Sequence, residues 1–214
     1  MTEERRWPHS SDPQTDVVLD AKGLRALAHP VRVQLIGLLR RHGPSTATRL
    51  AERMGLTSGA TSYHLRQLAA AGFVAEDTER GNARERWWRS VHQLTWWTDM
   101  ELADEEPEAA LGYLRSIAAV HTLTAQRALN AYETMPRDWR HALDLSDWGL
   151  RLTPEEAHGL AEELAAVVGR YRRADTEGAA PDGTERVAVV VQLLPDPEGE
   201  GGDEGASAGS GERS

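Results

Sequence analysis

The feature that most restricts this chain is a four-residue break, Met54-Gly55-Leu56-Thr57, between two short stretches of helical periodicity. Upstream, Ala47, Leu50, Ala51 and Met54 share a face, and Ser45 or Thr46 can cap the helix that carries them. Gly55 supplies a left-handed turn. Downstream, Thr57 or Ser58 caps a helix running to about Ala71, in which Thr61, Leu65, Leu68 and Gly72 follow 4-3-4 spacing and face inward. Ser58, Ser62, Tyr63, Arg66 and Gln67 are left on the outward side.

Before this pair, Val17, Val18, Leu19, Leu24, Leu27 and Ala28 suggest a helix ending near His29, which caps a second helix restarting at Pro30. Val31, Leu35, Leu38 and Leu39 lie on one side of that second helix, and Gly43-Pro44 stops it. After residue 72 the period changes to strand, turn, strand: Phe73 to Glu76, Thr78 to Asn82, then Arg86 to Arg89. Gly81 and Asn82 permit positive φ at the turn, and Arg80, Arg84 and Arg86 give it a cationic tip. Two short helices joined by a tight turn and followed by a basic hairpin resemble a winged helix-turn-helix, an α+β fold that is mostly α. Such a fold implies a helix entering the DNA major groove, its N-terminal side chains reaching base edges while the wing lies on phosphates. The residues so implicated are Thr57, Ser58, Gly59, Thr61, Ser62, Tyr63, Arg66 and Gln67 on the helix, with Arg80, Asn82, Arg84 and Arg86 on the wing.

The overall charge of −10 argues against a polyanionic partner only until its distribution is considered. Residues 22–97 hold 12 basic and 5 acidic side chains, net +7, whereas residues 98–214 hold 10 and 24, net −14. Positive charge is gathered where the two-helix pattern lies.

Three motifs occur in order: Leu24-Arg-Ala-Leu-Ala-His-Pro-Val-Arg, Leu50-Ala-Glu-Arg-Met-Gly-Leu-Thr, and Ser62-Tyr-His-Leu-Arg-Gln-Leu-Ala-Ala-Ala-Gly-Phe-Val. Together they resemble the ArsR-type winged-helix repressors of bacteria, over roughly residues 17–95. The resemblance implies a homodimeric transcriptional regulator, usually a repressor released by a signal, with base contacts at Ser58, Gly59, Ser62 and Tyr63. It also marks a departure. Metal-sensing members use a Cys-containing motif or paired ligands on a terminal helix, but this chain has no Cys and its eight His show no i,i+3 or i,i+4 pair. No metal or cofactor is expected.

The second half opens at Asp104-Glu-Glu-Pro107 with a helix expected to reach Met135, before Pro136. Its 29 residues would span about 43 Å. Leu111, Leu114, Ile117, Ala118, His121, Ala125, Ala128 and Tyr132, with Leu129 and Met135, form a stripe suited to the same helix of a second chain. A twofold dimer would read a near-palindromic operator. Trp148, Leu150 and Leu152, a Thr153-capped helix and Val187 to Leu194 then suggest a small β-α-β unit. Residues 1–15 read as a mobile arm and residues 195–214 as a disordered acidic tail. The domain organisation expected is therefore a DNA-binding unit over 16–97 and a dimerisation or sensor region over 98–194.

Seven Trp against one Phe is unusual. Core or interface packing explains them most simply, and a ligand pocket lined by Trp96, Trp97, Trp139 and Trp148, for an unidentified small-molecule effector, is the alternative. The chain shows no P-loop, no G-x-G-x-x-G, no G-x-S-x-G and no H-E-x-x-H, so no enzyme is expected. There is no signal-peptide pattern or membrane-spanning run, and a cytoplasmic location is expected. Besides a DNA-binding regulator, two readings stay open: a winged-helix interaction module that does not bind DNA, and a regulator answering a physical signal such as temperature.

Overall fold

A computed structural model describes residues 15–80, 85–97, 100–171 and 181–196. The chain is α+β and mostly helical. Strand β1 (Asp16–Val18) leads into α1 (Ala21–Leu27) and α2 (Pro30–His42), then β2 (Ser45–Thr46), α3 (Ala47–Met54), α4 (Ser58–Ala70), β3 (Val74–Glu76), β4 (Trp87–Ser90) and β5 (Leu94–Trp96). Beyond these lie α5 (Met100–Glu105), α6 (Pro107–Asn130), a 3-10 turn (Tyr132–Thr134), α7 (Arg137–Ala142) and α8 (Pro154–Gly169).

Capping chemistry sets the first helices. Asp20 accepts from Gly23 N at 2.7 Å at the start of α1, and His29 Nδ1 accepts from Val31 N at 3.2 Å at the start of α2. Leu24, Leu35, Leu50, Leu65 and Leu68 are fully buried in one core, which also takes in Phe73, Val74 and Trp88. The wing is a three-stranded sheet ordered β2-β4-β3, with Thr46 opposite Trp87 and Ala75 opposite Arg89. Residues 16–18 are not helical as their hydrophobicity suggests. They pair in parallel with β5, Asp16 opposite Leu94 and Val18 opposite Trp96, because β-branched valines suit a ladder and the cap at Asp20 delays the helix.

The long helix is also shorter than expected. It ends at Asn130, and Met135, directly before Pro136, takes an extended conformation (φ −67°, ψ 138°) that a helix cannot continue through. At its other end Asp104 and Glu105 belong to α5, while Glu106 caps α6 and pairs with Arg25 of α1, Arg25 Nε lying 3.1 Å from Glu106 Oε2. Ala110, Tyr113 and Ser116 are buried as α6 packs on α1 and α2. This approach depends on Gly112, where a Cβ would stand 3.0 Å from the Ala28 Cβ. Of the small β-α-β unit only the helix forms, with Thr153 and Glu156 completing its capping box. Residues 148–152 and 187–194 run without strand pairing, since two isolated strands have no third neighbour to make a sheet stable. Residues 1–14 and 197–214, most of the expected arm and tail, lie outside the described residues. No helix among the described residues is long and apolar enough to cross a membrane.

A histidine pair braces α4 against the start of α2: the rings of His29 and His64 lie 4.5 Å apart, with Tyr63 meeting His64 edge-on. Burial lowers both pKa values, and the guanidinium of Arg32 presses in the same direction on each. The cap itself requires a bare Nδ1 on His29. Two outcomes follow. Replacing Gly112 with Val should loosen α6 and lower unfolding free energy by about 1–3 kcal/mol, measured by urea denaturation. The unfolded chain takes up these protons near pH ~6.5 and the folded chain only below it. Stability is therefore complete above that value and falls as the pH drops through it. His64→Gln should shrink the difference in denaturation midpoint between pH 7.5 and 5.5, and an unchanged difference would place the titration elsewhere.

Candidate nucleic-acid interface

The turn between α3 and α4 is built by its backbone. Gly55 adopts φ 65°, ψ 33°, and Leu56 N donates to Ala51 O at 2.9 Å, closing the end of α3. Thr57 then begins α4, its Oγ1 accepting from Ala60 N at 3.2 Å. Thr61, Leu65 and Leu68 point into the core as their spacing predicts. Thr61 is 0% exposed and so cannot touch a nucleic acid, which corrects its inclusion among the contact residues. It shares the inward face with Leu65, four residues on.

The other face is open. Ser58, Gly59, Arg66 and Gln67 are exposed, Tyr63 is 53% exposed and Ser62 is half-buried. Nothing lies within 4 Å of where a Gly59 Cβ would stand, so this glycine leaves a smooth approach to the first turn. No acidic residue lies in that turn to repel a phosphate. The face thus presents hydroxyls near the helix start and longer donors one turn further on, the arrangement groove reading requires.

The wing is more balanced in charge than its arginines imply. Arg80 Nε lies 3.4 Å from Asp77 Oδ2, and Arg86 Nε lies 3.9 Å from Glu76 Oε1. Both pairs are largely exposed on the arginine side, where such contacts are worth about 0–1 kcal/mol, so a phosphate can displace the carboxylates. Asn82 and Arg84 fall in residues 81–84, outside the described residues. Sequence reasoning missed Arg49. This exposed α3 side chain lies over the Trp87 ring, 4.9 Å from its centroid, tying α3 to the wing by a cation–π contact. Its only sequence signal was an exposed helical position, because Trp87 is far along the chain.

The four tryptophans do not assemble a pocket. Trp96 Nε1 donates to Asp16 Oδ2 at 3.1 Å beside the β1–β5 pairing, and Trp97 packs edge-on against Tyr113 at 5.8 Å. Trp139 is half-buried and Trp148 is 78% exposed. The indoles of Trp96 and Trp97 are drawn to separate partners. Within the α6 stripe, Leu111, Leu114, Ala118 and Tyr132 are exposed, and Ala125 and Ala128 are half-buried. Ile117 packs against the chain's own core, and His121 Nδ1 accepts from Gln192 Nε2 at 2.9 Å. The stripe is therefore split between a face used within the chain and a face left open. Among the described residues no three His, Asp or Glu side chains converge to hold a metal ion.

Residues 27–77, from the end of α1 to the turn after β3, match a helix-turn-helix domain family. No curated protein matches the chain. Among solved structures, YusO from Bacillus subtilis is 16% identical over 65% of this chain and 73% of its own, with a TM-score of 0.28. An apo-form double mutant of ZitR from Lactococcus lactis is 13% identical over 68% and 84%, with a TM-score of 0.27. At these values the two likenesses add nothing to the argument. The open face of α4 and the domain match agree: residues 27–77 carry a helix-turn-helix domain, of the kind that DNA-binding regulators of transcription use.

Proposed function

We propose that the chain is a dimeric, sequence-specific regulator of the ArsR-like winged-helix kind, binding a near-palindromic duplex and repressing until a signal releases it. The observation that carries this reading is the division of α4 into a wholly buried side and an open side of hydroxyl, amide and guanidinium groups. Ser58, Ser62, Tyr63, Arg66 and Gln67 read bases, and Arg80, Asn82, Arg84 and Arg86, joined by Arg49, supply the phosphate contacts. In the domain arrangement this implies, residues 16–97 bind DNA and the following region brings two copies together.

The dimer reading rests on apolar area without intrachain cover. Leu111, Leu114 and Leu129 on α6 and Tyr132 in the 3-10 turn after it are 44–50% exposed, and no residue of α8 is buried. A self-complementary contact along α6 would cover this face and set two α4 helices about 34 Å apart, one turn of duplex.

Binding to fragments of the source genome, measured against salt, tests the reading. Selective affinity that falls steeply with salt supports it, and no binding at low salt favours an interaction module. Arg86→Ala should weaken binding to every sequence and reduce the salt slope by about one unit, whereas Arg66→Ala should reduce discrimination by ~1–3 kcal/mol. Sedimentation should give a dimer for the intact chain, and Leu111→Glu with Leu114→Glu a folded monomer. An intact chain that sediments as a monomer at tens of micromolar removes the twofold operator.

A further inference from the structure

Away from α4, a cavity of about 230 Å³ lies between α2 and α6, lined also by Thr95 of β5 and by Ala188 to Val190. Leu27, Ile36, Ile117 and Val120 give it apolar walls. The covering segment is held by the hydrogen bond from Gln192 Nε2 to His121 Nδ1 at 2.9 Å, which needs an unprotonated Nδ1, and burial lowers the His121 pKa, in the direction that favours this form.

Two arginines of α2 line this space, and they differ in how they are employed. Arg40 staples α2 to β5, donating from Nε to His92 O at 2.9 Å and from Nη2 to Thr95 Oγ1 at 2.8 Å. Arg41 folds back over Gly37, its Nη2 lying 3.4 Å from where a Gly37 Cβ would stand, so the missing side chain gives the guanidinium its seat. Arg41 is part-buried, and burial together with the like charge of Arg127 disfavours its protonated form. Among the described residues no carboxylate pairs with it. Helix α2 contains no acid, α6 contains only Glu108 in its first turn, and Glu185, at the exposed start of the covering segment, is not part of the lining. Taking a cation partly out of water beside another cation, with apolar walls around it, is costly unless an anion meets it.

We propose that this cavity is a binding site for a small organic carboxylate with an apolar body, the carboxylate meeting Arg41 and the body lying on Ile36, Ile117 and Val120. The volume is below the ~300–1,000 Å³ of drug-sized sites, so the ligand is of single-ring or short-chain size. Tyr113 and Thr124, which also line the space, offer hydroxyls to orient it. A ligand here touches α2 and α6 together and braces one against the other. The proposal stands on the cavity alone and does not depend on DNA binding.

Calorimetric titration and thermal melting of the full chain test it, with benzoate and hexanoate as probes and benzamide and hexanamide as neutral counterparts at constant ionic strength. At least one carboxylate should bind at least tenfold more tightly than its amide and raise the melting temperature. Arg41→Gln, which removes a part-buried charge and so should leave the fold intact, should bring carboxylate affinity down to that of the amide. Val120→Trp, which fills the cavity and leaves Arg41 in place, should abolish binding of both. Absence of carboxylate binding, equal affinity for the amides, or undiminished binding by Arg41→Gln overturns the proposal.

Discussion

Thr61, Leu65 and Leu68 enter the core from α4 at spacings of four and three, beside Leu50 of α3 and Leu35 of α2. Each of the two leucines contributes roughly 1.5–3 kcal/mol by leaving water. A helix has one rotational setting that buries this set, and the same setting turns Ser58, Tyr63, Arg66 and Gln67 outward. The proposed recognition surface is thus fixed by residues that form no part of it. The turn at Gly55, the cap at Thr57 and the His29–His64 contact then define where along the domain that surface sits.

Most of this was legible because it is local. Caps, glycine turns and helical periodicity act within a few residues, so the boundaries of α2, α3 and α4 and the inward set of α4 follow from the chain itself. Pairing between distant segments was not. Nothing near Val17 announces that it will lie beside Thr95, and nothing near Arg49 announces Trp87. The same blindness left a single tryptophan pocket open as an alternative to packing: the number of tryptophans was visible, but Asp16 and Tyr113, which engage Trp96 and Trp97, are remote in sequence. Thr61 was offered as a contact and also placed on the inward face, and burial decides for the second.

The region after α6 follows a different physics. Its helix α8 is well specified locally by Thr153, Pro154 and Glu156, yet it buries nothing, and the segments before and after it form no ladder among the described residues. Local propensity can make a helix there, but a core requires area that one copy of this region does not cover. The covering segment over the α2–α6 cavity is the exception, since His121 and Gln192 give it a fixed seat.

The parallel pairing of β1 with β5 fixes the direction of travel as well as a position. The chain leaves both strands heading the same way, and the opening of α6 comes back to meet Arg25 of α1. Entry to and exit from the winged unit are therefore a single anchorage. An extension fused ahead of Thr15 and a strain transmitted from α5 bear on the same two strands, so either one loads the pairing on which the other depends.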